Sequence, residues 1–92
     1  MKVTDLIENE VIHVRTEQEA IAICQLMDNA GLKWCNGKSY IGKTEWDSYG
    51  EICFFPKNGT FSSYEYALSV KAYKSLKIYP ASLFLEPSYE IY

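Results

Sequence analysis

The sequence predicts a single α+β domain: one main helix packed on a curved, mostly antiparallel sheet of four to five strands. Three observations carry this. A short alternating stretch at residues 10–15 is followed at once by a capped amphipathic segment over about residues 17–30. After that, short β-type runs recur, separated by Asn-Gly and Pro/Asn/Gly turns. The chain is 92 residues long, enough for one core and no second domain. The domain therefore covers residues 1–92, with the ends, 1–9 and 87–92, expected to be poorly ordered.

The lead-in, residues 1–9, is weakly patterned and reads as a short helical turn or a frayed end. Residues 10–15 alternate, with Ile12 and Val14 on one side and Val11, His13 and Arg15 on the other. That pattern predicts a strand buried on one face. Thr16-Glu17-Gln18-Glu19 is a capping box: the Thr16 hydroxyl can accept from the Glu19 N–H, and the Glu19 carboxylate can reach back to Thr16. The helix it opens runs from residue 17 to about 29. Ala20, Ile23, Cys24, Leu26, Met27 and Ala30 fall on one broad stripe, and Gly31 is placed to end it.

Residues 32–35 read as a second short strand, with Asn36-Gly37 a turn and residues 39–41 pairing back across it. Residues 42–50 read as loop. Residues 51–55 and 60–64 form a hairpin around Lys57-Asn58-Gly59, its first strand ended by Pro56. Residues 64–73 are ambiguous, with a short helix through Tyr66, Ala67, Val70 and Tyr73 as one reading. A last strand over residues 76–79 stops at Pro80, which can open a final helical turn.

Composition narrows the function classes. The hydrophobic fraction is 48% and the charged fraction 23%, values of a folded globular chain and not a disordered one. A net charge of −3 argues against duplex nucleic acid as a partner, because that surface demands a cationic face. No apolar run reaches signal-peptide or membrane length, so no membrane partner is expected and a cytoplasmic location is the default, the host cytoplasm for a phage-encoded chain. Cys24, Cys35 and Cys53 lack C-x-x-C spacing and read as free thiols serving as small apolar residues. His13 is the only histidine, and it has no partner at ligand spacing, so no metal and no cofactor are expected. It is equally poorly placed for a hydrolytic triad. Glu45 and Asp47 straddle Trp46 as paired carboxylates, for which a solvated loop edge is the plain reading. No phosphate-cradling glycine motif is present, and an enzyme is not expected.

The remaining signal is an aromatic–basic interleaving over residues 33–55. This stretch holds both tryptophans, two of the three cysteines and three of the five glycines. Flat rings stack on bases, and ammonium groups neutralise phosphates. The candidate ligand-binding residues are Lys33, Trp34, Lys38, Tyr40, Lys43, Thr44, Trp46 and Asp47. Trp46 or Tyr40 would stack, Lys38 and Lys43 would supply charge, and Thr44 and Asp47 polar contacts. The competing view makes Trp34 a core anchor and the lysines a solvated rim.

Several of these pieces occur together in a group of small phage and prophage proteins that the chain resembles. They are the strand over residues 11–15, the Thr16–Glu19 cap, Gly31-Leu32-Lys33-Trp34, the turn Asn36-Gly37-Lys38, Thr44-Glu45-Trp46-Asp47 and Ile52-Cys53-Phe54-Phe55. Some members of that group resemble anti-Thoeris sponge proteins. The resemblance implies a non-catalytic homo-oligomer that sequesters a cyclic nucleotide or ADP-ribose-type immune signal. Arg15 is the only arginine here, so phosphate contacts would fall to lysines. Two other readings stand beside it. One is a protein-binding inhibitor of a host nuclease or CRISPR effector, using Tyr64, Tyr66, Tyr73 and Tyr79 as anchors. The other is a ligand-free dimeric regulatory protein.

Overall fold

A computed structural model describes residues 1–85 of the chain. The expected disorder of residues 87–92 lies outside the described residues. The architecture is α+β, a four-stranded open mixed sheet with helices packed on it. The elements are β1 (Glu10–Val14), α1 (Glu17–Asn29), α2 (Trp46–Tyr49), β2 (Ile52–Phe55), β3 (Thr60–Ser63), α3 (Tyr64–Lys74) and β4 (Lys77–Pro80), with 3-10 turns at Val3–Asp5 and Ala81–Leu83. The lead-in takes the helical turn of its two expected forms, and Val3 and Leu6 are buried against the core.

The strand order is β3-β2-β1-β4. β1 pairs antiparallel with β2 (Ile12 opposite Phe54), β2 antiparallel with β3 (Phe54 opposite Phe61), and β1 parallel with β4 (Ile12 opposite Tyr79). Two of the three pairings are thus antiparallel. The parallel one requires a crossover, and α3 provides it by carrying the chain from one edge of the sheet to the other.

That crossover explains the main departure from the alternating pattern of β1. Val11, Ile12 and Val14 are all fully buried, and His13 is 8% exposed. The face bearing Ile12, Val14, Ile52 and Phe54 packs on Ala20, Ile23, Cys24 and Met27 of α1. The opposite face, with Val11 and Cys53, packs on Ala67 and Val70 of α3. A central strand between two helices has no wet side, so the expected one-sided burial is corrected to two-sided burial.

α1 forms where its cap and stripe place it. Thr16 Oγ1 accepts from the Glu19 N–H at 3.1 Å. The Glu19 carboxylate closes back onto Arg15 and not onto Thr16 as expected, accepting from the Arg15 N–H at 2.8 Å and its guanidinium at 3.1 Å. Desolvation works to raise the Glu19 carboxyl, but these bonds from Arg15 outweigh it and hold the group below its usual range. At the other end, the Leu32 N–H bonds to Met27 O and the Gly31 N–H to Asp28 O, a Schellman closure. Ile23 and Met27 are fully buried on this helix and contribute about 1.5–3 kcal/mol each.

The expected strands at residues 32–35 and 39–41 are absent. The Asn36-Gly37 turn forms, closed by the Gly37 N–H to Trp34 O and Trp34 N–H to Lys38 O bonds, but no strand is built on either side of it. The segment lies over the α1 face of the sheet, where its aromatic rings fill core space and no neighbouring strand presents a ladder. Within residues 42–50 the chain makes one turn of helix, α2, and is otherwise irregular.

Candidate functional site

The loop between α1 and β2 is held to its neighbours by hydrogen bonds and by ring packing. Cys35 N–H donates to Gly59 O at 2.9 Å, fastening it to the β2–β3 turn. Ser39 Oγ donates to Asp28 Oδ1 at 2.9 Å, fastening it to α1. Trp34 packs half-buried among Tyr40, Phe54 and Phe61, with ring centroids 4.4, 6.0 and 5.8 Å away. Tyr40 is sealed in the core, and its hydroxyl has no hydrogen-bond partner among the described residues. Burial, with the nearby Cys24 and Cys35 thiols, pushes its ionisation up to about 12, so the phenol is neutral.

Between this loop and the β2–β3 hairpin lies a groove of about 420 Å³. Trp34 and Phe61 line it as apolar walls, Lys38, Lys43 and Glu45 as charged groups, and Cys35 as a thiol. Glu45 holds a left-handed backbone (φ 63), a conformation that costs about 1–2 kcal/mol outside glycine. It starts α2, whose last residue Tyr49 stands edge-on to Phe61 at 5.1 Å.

Of the residues expected to bind a ligand, Trp34, Lys38 and Lys43 come together on this groove. Tyr40 does not line it but packs against the inner side of Trp34. Lys33 is exposed without lining it. Thr44 and Trp46 are half-buried, the Trp46 N–H bonded to Thr44 Oγ1 at 3.3 Å and its ring packed on the core cluster. Asp47 is exposed outside the groove, so the paired carboxylates part company: Glu45 lines it and Asp47 does not. Phe61, Cys35 and the backbone around Gly59 were not legible as site residues. Phe61 reads as an ordinary hairpin position, and only the tertiary contact at Gly59 brings it to the loop.

Elsewhere, His13 finds a partner that spacing did not show. Its Nε2 lies 2.5 Å from Glu51 Oε2, and its ring stacks on Tyr64 at 3.7 Å with an interplanar angle of 7°. Cys53 stands opposite His13 across β1–β2. Burial, with the Glu51 charge, pushes that thiol up to about 12, so the pair does not supply a nucleophilic thiolate near neutral pH.

The three cysteines are free. Burial pushes Cys24 up to about 12 as well, whereas Cys35 is exposed on the groove and does not serve as a small apolar core residue. With iodoacetamide at mildly alkaline pH, the folded protein should gain a single adduct, on Cys35, and the other two only after denaturation. Peptide mass mapping reads this directly, and early labelling at Cys24 or Cys53 would contradict the packing.

Among the described residues, no group of three His, Cys, Asp or Glu is placed to hold a metal ion, and no helix is long and apolar enough to cross a membrane. Fold and groove together define a small α+β protein with an open mixed sheet and an aromatic–lysine groove at its β2–β3 end. No protein-family model, curated protein or solved structure matches the chain.

Proposed function

We propose that this chain is a non-catalytic binding protein whose groove holds a nucleotide-type small molecule. It would act by withholding that molecule, as an anti-defence sponge of the phage type withholds an immune signal. The observation that supports this is the placing of the Trp34 and Phe61 rings with Lys38 and Lys43 around one hollow. A base lying on an aromatic ring gains about 1–3 kcal/mol. A phosphate at the groove mouth would meet two ammonium groups. The Glu45 carboxylate offers an acceptor for a sugar hydroxyl or a base N–H. A hollow of about 420 Å³ is within the roughly 300–1,000 Å³ usual for small-molecule sites. A homo-oligomer could set two such grooves on one larger ligand, which native mass spectrometry of the purified protein would show together with any co-purified small molecule.

The test is calorimetric titration with AMP, ADP-ribose and a cyclic dinucleotide. At least one should bind. Lys43→Glu should weaken that binding by about 10–100-fold, the loss of a charge-assisted contact of about 1.5–3 kcal/mol. Lys43 is exposed, so its replacement leaves the core intact. Heat release from none of the three, or equal binding by the Lys43→Glu protein, would remove this reading.

A further inference from the structure

The sheet has two edges, and they differ. β4 carries Lys77 and Pro80, both of which discourage pairing with another strand. β3, Thr-Phe-Ser-Ser, carries no charge and no proline. Its inward and outward backbone groups follow from the ladder. Tyr64 N–H donates to Glu51 O, the residue directly in register with it beyond β3, so the hydrogen-bonded pairs are Glu51 with Tyr64, Cys53 with Ser62 and Phe55 with Thr60. Phe61 and Ser63 therefore turn their N–H groups to the open edge. Gly59, two residues earlier in the same alternation, already uses that edge: its C=O takes the Cys35 N–H. The chain itself makes the first rung of an added strand there; beyond it, among the described residues, the Phe61 groups and the Ser63 N–H are left to the edge, while the Ser63 C=O takes the Ser62 hydroxyl at 3.0 Å.

Hollows lie on both sides of this edge. One is the Trp34–Lys43 groove. The other, of about 260 Å³, lies between β3 and α3 and is lined by Ser62, Tyr66, Val70 and Lys74. Thr60 and Phe61 border both. An incoming strand sends alternate side chains to opposite faces, so its residues would enter the two hollows in turn. Among the described residues the ammonium groups there, Lys38 and Lys43 on one side and Lys74 on the other, outnumber the one carboxylate, Glu45.

We infer that the β3 edge is a strand-addition site for an extended, acidic segment of another protein. A second copy of this chain fits less well. It would bring a neutral Thr-Phe-Ser-Ser strand and would face the same lysines across the seam, like charge against like. The site does not depend on the nucleotide reading, although Phe61 and the lysines serve both.

Ser63 makes the test specific. Its φ is −65° and ψ 154°, values that proline adopts without strain. Ser63→Pro thus deletes the outward N–H while keeping the backbone path. Both Ser63→Pro and Ser63→Ala lose the hydroxyl that accepts from the Tyr66 N–H at 3.1 Å, so Ser63→Ala controls for the cap. The probes are a short fluorescein-labelled peptide alternating aspartate with valine, and its lysine-for-aspartate counterpart, read by fluorescence anisotropy. The acidic peptide should bind, and the lysine peptide should not. Ser63→Pro should weaken binding about tenfold against Ser63→Ala, one hydrogen bond's worth. In the unaltered protein, peptide should shift the Phe61 and Ser63 amide resonances whether or not the variants fold. Equal binding of both peptides, no anisotropy change, or indifference to Ser63→Pro would overturn the inference. So would self-association of the free protein that Ser63→Pro abolishes, which would assign the edge to a second copy. AMP titration of Ser63→Pro separates the two readings, because nucleotide binding should survive a change that removes peptide binding.

Discussion

Phe54→Ala should remove about 3–5 kcal/mol of the protein's stability. Phe54 is fully buried on the central part of the sheet, and among the described residues it is the one whose ring meets both Trp34 and Tyr40, at 6.0 and 6.3 Å. It joins the sheet to the loop that forms the groove. Truncating a buried phenylalanine costs about 3–5 kcal/mol, part transfer and part cavity. Stability of about 0.05–0.15 kcal/mol per residue allows roughly 5–14 kcal/mol for 92 residues. The loss is therefore a large share of the whole. Urea unfolding should show the midpoint falling by about a fifth or more. Phe61→Ala, at a half-buried position, should cost clearly less. A Phe54→Ala loss below about 1 kcal/mol would mean that the loop rings do not rest on the sheet as described.

Gly59→Ala should damage both the fold and the groove. Gly59 has φ +70, where an L side chain is strained. An added Cβ would lie 2.6 Å from the Cys35 nitrogen, 3.0 Å from the Lys33 oxygen and 3.1 Å from the Cys35 Cα. All three are backbone atoms, so no side chain can rotate away. The left-handed conformation costs about 1–2 kcal/mol and the overpacking about 1–3 kcal/mol more. The strain has one outlet: the loop moves off the hairpin, breaking the Cys35 N–H to Gly59 O bond and opening the groove. Chemical denaturation should therefore show a loss of roughly 2–5 kcal/mol, and nucleotide titration should show weakened binding in the protein that remains folded. Gly37→Ala is the control, since Gly37 also has positive φ (+85) but nothing within 4 Å of an added Cβ. If the two substitutions cost the same, the close approach at Gly59 carries no weight.

Local signals were legible in the chain wherever one segment satisfies itself. Thr16 to Glu19 and Gly31 mark both ends of α1, because a helix must meet its terminal backbone groups locally. Pro56 and Gly59 mark the β2–β3 hairpin for the same reason. α3 was harder to read. Only Ala67 and Val70 are buried along it, a narrow stripe, and it ends at Ser75 in a left-handed conformation where glycine would have been the usual signal. The strands expected at residues 32–35 and 39–41 failed because alternation and an Asn-Gly turn are local cues. Whether a ladder forms depends on a neighbour that the local sequence does not name.

The site divides the same way. Lys38, Lys43 and Trp34 could be singled out by residue type, because stacking and charge are properties of side chains. Phe61 and the Gly59 backbone join them only through contacts between residues far apart in sequence. The same holds for His13, whose partner Glu51 is 38 positions away.

By itself, the amino-acid sequence determined the α+β class, the capped helix and the hairpin, since each is stabilised by groups within a few residues of one another. The tertiary structure alone decided that β1 is buried on both sides, that Tyr40 faces inward while Trp34 borders a groove, and that β3 is left as an open edge. Those outcomes depend on where α3 crosses and on which backbone Cys35 meets, and both are settled by packing the whole chain around one core.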